Sequence, residues 1–353
     1  MKYRNLSRLV VAALLVGMTL PAMAAAKPRL MIYNWADYIA PKLIKEFEKK
    51  FDCKVVVETF DSNEALEAKM ASGAADYDIV VPSSYFTARL YRQGLIQKLD
   101  LSKLPNVKNV DAEILSVMPD KAMEHSVPYM MGYSAIGYRR ERVPNFDEPT
   151  WRVFEREDLK KRCTLLNDIR EVLGIALKTL GYSCNTKSEA EIKEAAQLVM
   201  TWKRTAAKFE NEQYKNGLAS GEYRLVQGYV CDLLQIVEEN KKKDIAVVIP
   251  KEGTQFAVDM MVIPARAKNA ALAYEFINFL HDPANAAKNT EWVMNICPNT
   301  PSYALLPKAI LGNPAMFPPP ALKAKCELIE DVGESIEIYN RYWDMIKTKD
   351  SIE

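Results

Sequence analysis

The sequence is poor in the residues that usually carry catalysis. It holds two histidines, His125 and His281, in 353 residues. Neither has a partner at metal-ligand spacing. His125 precedes a proline-containing stretch, and His281 closes a helical pattern before Asp282-Pro283, where the helix dipole accounts for it. No H-E-x-x-H, G-x-S-x-G, G-x-x-x-x-G-K-[ST] or G-x-G-x-x-G occurs. Zincin helices, nucleophile elbows, phosphate loops and dinucleotide fingerprints are therefore absent. No catalytic residue, metal or cofactor is expected. Cysteine is modest at six, Cys53, Cys163, Cys184, Cys231, Cys297 and Cys326, with no C-x-x-C among them. Free buried thiols and one or two disulfides are both open readings, because sequence alone does not choose a pairing. An excess of one charge is also missing, with 47 Lys and Arg against 46 Asp and Glu. Nothing in that balance calls for nucleic acid or an anionic membrane as partner. Past residue 20, no apolar run approaches the length of a membrane-spanning helix.

What is present starts with an export signal. Lys2, Arg4 and Arg8 form a basic region, residues 9–20 an apolar one, and Ala22-Met23-Ala24 and Ala24-Ala25-Ala26 both fit a cleavage site. Residues 1–26 are thus expected to be removed near Ala24 or Ala26. No cysteine stands near, which tells against a lipid anchor. Cutting after Ala24 removes three cations and no anion, taking the formal net charge from +1 to −2. The mature chain is expected to be soluble and periplasmic.

Its pattern alternates strands and helices. Residues 30–34, 54–60 and 78–81 read as strands, and 41–50, 64–70 and 85–93 as helices. Pro41 suits a first helical turn, and Asp61-Ser62-Asn63-Glu64 is a capping cluster. Later come a helix at 187–209, strands at 224–229, 245–249 and 260–263, and helices at 232–239 and 270–280. Such an order implies two α/β units with mainly parallel sheets, whose ligands sit where strands lead into helices. Tyr33 to Pro41, Ser83-Ser84-Tyr85 and Tyr229 to Asp232 all occupy such positions. An exported α/β pair without catalytic machinery reads as a binder before an enzyme.

Several runs resemble one family. "YNWADYIAPKLIKEFEKKF", "FDSNEALEAKMASGAADYDIVVPSS", "IQKLDLSKLPN", "EHSVPYMMGYSAIGY", "LASGE", "VIPKEG" and "IPARAKNAALAYEFINFL" are similar, in order and spacing, to the spermidine/putrescine-binding proteins of polyamine ABC importers. The likeness spans about Leu30 to Leu280 and continues more weakly through Asp331-Val332-Gly333. It implies a two-lobed periplasmic binding protein fold with crossing strands at the hinge. Residues 27–137 would form the first lobe, 138–260 the second, and 261–315 a return to the first. Residues 316–353 would be a C-terminal helical segment packed mainly on the second. It also implies a monomer that takes a polyamine and docks on an inner-membrane ABC permease.

The resemblance names the site. Trp35, Asp37 and Tyr38 match an aromatic-and-acid cluster, and Ser83, Ser84 and Tyr85 match a ligand-touching loop. Asp168 and Glu171 match an acid pair of the second lobe. Tyr229 stands where a Trp is usual, Asp232 matches an acid of the putrescine-type branch, and Asp259 one that binds an ammonium. The chemistry agrees. A charge-assisted hydrogen bond to a carboxylate contributes roughly 1.5–3 kcal/mol and a buried methylene about 0.8 kcal/mol, while aromatic faces attract the cations. Plainer readings stand beside these: core packing for Trp35, Tyr38, Tyr229 and Cys231, and helix-start charge for Asp168, Glu171 and Asp232. The run Lys241-Lys242-Lys243 reads as a solvated loop. Three departures, Ala257 for an aromatic, Cys297 for a Tyr and Ile329 for a Gln, leave the choice of polyamine open, although Asp232 points to putrescine. A sensor acting on a membrane receptor, or the same fold holding another small organic cation, remain alternatives.

Overall fold

The computed structural model describes residues 27–73, 76–241 and 244–352. The expected export signal, and Lys242 and Lys243 of the lysine run, lie outside them. The first sheet contains β1 (Arg29–Trp35), β2 (Lys54–Phe60) and β3 (Ile79–Val80), all parallel, in the order β2-β1-β3. Its crossovers are α1 (Pro41–Phe51) and α2 (Asn63–Ser72), and α3 (Ser84–Arg92) follows β3. Pro41 sits in the first turn of α1, and the Ser62 hydroxyl caps α2 by accepting the Ala65 N–H at 3.2 Å. The sheet is covered on both faces. Leu30 and Ile32 point into one apolar core with Leu43 and Phe47, while Tyr33 points into a second with Phe60 and Tyr77. That is the two-residue period of a strand buried on both sides.

A short helix, α4 (Ala112–Val117), precedes the long strand β4 (Val127–Arg139). The other strands are β5 (Cys163–Thr164), β6 (Leu225–Tyr229), β7 (Ile245–Val248), β8 (Gln255–Met261) and β9 (Glu327–Leu328). They form a sheet ordered β5-β6-β4-β8-β9, with β7 also paired to β4. β4 crosses between the lobes: residues 127–133 pair with β8 and residues 134–139 with β6 and β7. β8 carries the chain back, and beyond its ladder Val262 bridges Val80 while Asp259 bridges Ser83. The result is a two-lobed α/β fold joined by crossing strands.

The expectation of mainly parallel sheets holds for the first lobe and needs correction for the second. There β5 is parallel to β6 and β8 to β9, but β4 runs antiparallel to β6, β7 and β8. A strand that leaves one lobe and a strand that returns to it must oppose each other, and crossing strands are what the alternating pattern does not record. β8 also starts earlier than the apolar run at 260–263. Gln255 and Asp259 look like loop residues, yet both are buried in the ladder.

The second lobe is helical outside its sheet, with α5 (Ile169–Leu180), α6 (Glu189–Thr205), α7 (Tyr214–Ser220) and α8 (Val230–Asn240). After β8 come α9 (Ala270–Leu280) and α10 (Pro283–Val293). The C-terminal helix, Ile336–Thr348, buries Tyr339, Tyr342 and Ile346 and packs on α5 and α6. All six cysteines are free thiols, five of them buried.

Candidate ligand-binding site

Three helix starts and two strand ends converge on a cavity of about 140 Å³. Trp35 and Tyr38 come from the end of β1 and the loop after it. Ser83 and Tyr85 come from the start of α3, Asp168 and Glu171 from α5, Tyr229 and Asp232 from α8, and Asp259 from β8. Each carboxylate beside a helix start faces the positive end of a backbone dipole, which favours its charged form.

Asp259 is the centre of a hydrogen-bond chain. The Tyr38 hydroxyl donates to its Oδ2 at 2.7 Å and the Ser83 hydroxyl to its Oδ1 at 2.7 Å. Asn295 Nδ2 donates to the Tyr38 oxygen at 2.7 Å. Asn63 Nδ2 donates to Ser83 Oγ at 3.2 Å and to the Tyr85 oxygen at 3.1 Å, and Asn63 Oδ1 accepts the Ser83 N–H. Every partner is neutral, and among the described residues no cation pairs with Asp259. Burial raises its carboxyl to about 6, against the pull of the two hydroxyls.

Asp168 and Glu171 do two jobs at once. Asp168 caps α5 with Oδ1, which accepts the backbone N–H of Arg170 and Glu171 at 2.9 and 3.0 Å. Glu171 takes Ser134 Oγ and Gln255 Nε2 on Oε2. Neither Asp168 Oδ2 nor Glu171 Oε1 accepts a hydrogen bond among the described residues. Burial first, and the Asp168 charge second, push Glu171 up to about 7. Burial also raises Asp168 and Asp232 above the usual carboxylate range.

Aromatic rings supply the walls. Trp35 packs on Phe60 with ring centres 4.3 Å apart, and Tyr133 on Phe256 at 5.5 Å. Carboxylates and aromatic rings thus line one cavity. Among the described residues, no group of three or more His, Cys, Asp and Glu is placed to hold a metal.

A family model described as bacterial extracellular solute-binding protein matches residues 42–318. The chain belongs to that family. It is 35% identical to the putrescine-binding periplasmic protein SpuD of Pseudomonas aeruginosa, over 98% of this chain and 98% of that one. It is 34% identical to the spermidine/putrescine-binding periplasmic protein of Escherichia coli, over 96% and 97%. The crystal structure of the TpPotD lipoprotein of Treponema pallidum superimposes with a TM-score of 0.81 at 34% identity, covering 90% of this chain and 99% of that one. The family is one of solute-binding proteins of transport systems, and the resemblance drawn from the sequence runs stands.

Of the residues expected from sequence, Trp35, Tyr38, Tyr85, Asp168, Glu171, Tyr229, Asp232 and Asp259 line the cavity, as does Ser83. Asp37 and Ser84 do not. Asp37 sits at the rim with a left-handed backbone (φ 51°) and a side chain 60% exposed. Ser84 is buried in the first turn of α3, behind Ser83. Ala257 and Ile329 line the cavity as the departures implied, but Cys297 lies in the first-lobe core, away from it. His281 is structural, its ring nitrogens bound to the Ile277 and Pro128 carbonyls at 2.7 and 2.8 Å.

The sequence reading missed Asn63, Asn295, Tyr214 and Lys215. Asn63 was absorbed into the capping cluster before α2. Asn295 follows α10 in a segment with no pattern. Tyr214 stands behind Asp232 and donates to its Oδ2 at 2.5 Å. Lys215 lies beside it in the lining. A cation in a cavity expected to bind cations has no signal in composition or periodicity.

Proposed function

We propose that this protein captures a polyamine, putrescine or spermidine, in the interlobe cavity and delivers it to an inner-membrane ABC permease. One observation carries this reading. Asp259 is a buried carboxylate whose own protein offers it only hydroxyl groups. An ionised carboxylate in a low-dielectric site needs a positive partner, and an ammonium group from outside supplies one. The second ammonium has the open oxygens of Asp168 and Glu171, and Trp35, Tyr85, Tyr133 and Tyr229 flank the methylenes between. Ser83 and Tyr38 fix the orientation of Asp259, while Asp37 acts from the rim.

The proposal has further parts, which the family membership supports in outline. The protein is exported to the periplasm, with cleavage near Ala24 or Ala26, and works as a monomer without nucleic acid, cofactor or turnover. Residues 27–137 and 261–315 make one lobe and 138–260 the other, with 316–353 fastened to the second. Calorimetric titration of the mature protein with putrescine, spermidine and cadaverine tests the ligand class. Saturable heat with at least one is expected. Absence of heat with all of them, at concentrations up to hundreds of micromolar, overturns the reading.

A further inference from the structure

The cavity already contains one ammonium group of its own. Lys215 Nζ lies 3.8 Å from Asp232 Oδ1 and 3.5 Å from Asp37 Oδ2. Lys215 and Asp232 belong to the second lobe, on α7 and α8, and Asp37 to the first. The lysine side chain is 21% exposed and lines the same cavity as Asp259, Asp168 and Glu171. With Tyr214 on its Oδ2 and Lys215 near its Oδ1, Asp232 has both oxygens engaged before any ligand arrives. Asp259 differs, since it meets only neutral donors. The open oxygens of Asp168 and Glu171 differ too.

We propose that Lys215 is a tethered competitor, an internal cation that occupies the ammonium position at Asp232 and so withholds that acid from the ligand. This rests on the reading that the cavity takes a polyamine. The incoming ammonium groups go to Asp259 and to the Asp168/Glu171 pair, and a ligand reaches Asp232 only by displacing Lys215. A tether keeps the competitor at high local concentration at no cost in association entropy. Apparent affinity then falls by the fraction of molecules in which Asp232 is free. Lys215 thereby sets specificity. It disfavours diamines too short to span from Asp259 to the Asp168/Glu171 pair, which would otherwise use Asp232.

The test is a double-mutant cycle read by calorimetry with putrescine and spermidine. Lys215→Met should bind putrescine roughly tenfold tighter or more, with a smaller gain for spermidine. In an Asp232→Asn background the same lysine change should bring no gain. Lys288→Met, which removes an exposed cation paired with Glu46, controls for net charge and should leave affinity unchanged. Lys215→Gln repeats the test if the methionine variant loses its thermal transition. Unchanged or weaker putrescine binding by the Lys215 variants overturns the proposal while wild-type binding stands. A gain that survives in the Asn background, or that Lys288→Met reproduces, also overturns it, since that is general repulsion. If neither wild type nor variants bind any polyamine, the ligand reading itself fails and this proposal with it.

Discussion

Tyr38 donates its phenolic hydrogen to Asp259 Oδ2 over 2.7 Å, although the two residues are 221 positions apart. The bond ties the loop after β1 to the returning strand β8. It also sets the charge of the acid, because a hydroxyl donated to a carboxylate favours its ionised form. Tyr38→Phe removes that donor and leaves the ring. Asp259 then holds its proton more tightly, and Asn295 Nδ2 loses its acceptor. Polyamine affinity should fall about tenfold at pH 7, the worth of one hydrogen bond to a charged group. Part of the loss should return near pH 8.5. An equal loss at both values would mean the ring is misplaced and not that the acid is protonated.

Gly132 is packed against the next member of the same chain. A Cβ built there would lie 2.4 Å from Asn295 Oδ1 and 2.6 Å from Nδ2. Gly132→Ala must therefore move the Asn295 amide, and with it the Tyr38 hydroxyl. Binding should weaken severalfold, at the scale of one lost hydrogen bond. Restoring space with a second change, Asn295→Ala, should not restore affinity, because Tyr38 then lacks its orienting donor. Unaltered binding by Gly132→Ala would show that Asn295 does not orient Tyr38.

The acids predict a pH dependence of known sign. Glu171 is raised to about 7 and Asp259 to about 6, both above their ordinary values. The ligand-free fold thus binds protons that the unfolded chain has released. The stability this contributes is fully present below about pH 4 and is lost as pH rises through about 6 to 7. Ammonium groups reverse the preference by stabilising the ionised acids. The melting temperature of the free protein should fall between about pH 5 and 8, while the shift caused by putrescine should grow across the same range. A ligand-induced shift that is constant with pH would contradict this.

Much of the first lobe was legible in the sequence, and the physical reason is plain. Residues 30–34, 54–60 and 41–50 carry a strand or helix period with caps, and the structure places β1, β2 and α1 on them. β4 was not legible. It is buried nearly throughout and so shows no alternation, and Pro128, Gly132 and Gly137 interrupt it. Asp232 was visible because chain order placed it at a strand-to-helix turn, whereas Asp168 and Glu171 came from the family resemblance alone. Asn63, Asn295 and Lys215 were not, since each acts through a partner distant in sequence. Asp37 lay within the recognised cluster, yet its left-handed backbone turns it to the rim. No local pattern records that turn.

Arg170 fastens the C-terminal segment to the helix that carries Asp168 and Glu171. Its guanidinium donates to the Glu330 carbonyl at 2.8 Å, the Cys184 carbonyl at 3.3 Å and Asn185 Oδ1 at 2.8 Å, and it lies over the Tyr339 ring at 5.2 Å. The side chain is buried, so Arg170→Met removes all three bonds, although Asn185 Oδ1 still accepts the Glu330 N–H and the Cys184 carbonyl the Tyr339 hydroxyl. Stability should drop by about 1.5–3 kcal/mol, the scale of a lost hydrogen bond from a charged group. A urea midpoint identical to that of the wild type would remove the fastening role.

The decisive measurement is a side-by-side calorimetric titration of the mature wild-type protein and Asp259→Asn with putrescine and spermidine near pH 7.5. The substitution keeps the shape and removes a buried carboxylate that accepts only from the Tyr38 and Ser83 hydroxyls. Saturable binding by the wild type, weakened more than roughly tenfold in the variant, is the expected result for loss of a buried ammonium–carboxylate pair. Equal affinity in the two proteins would contradict the assignment of Asp259 as the ammonium-holding acid.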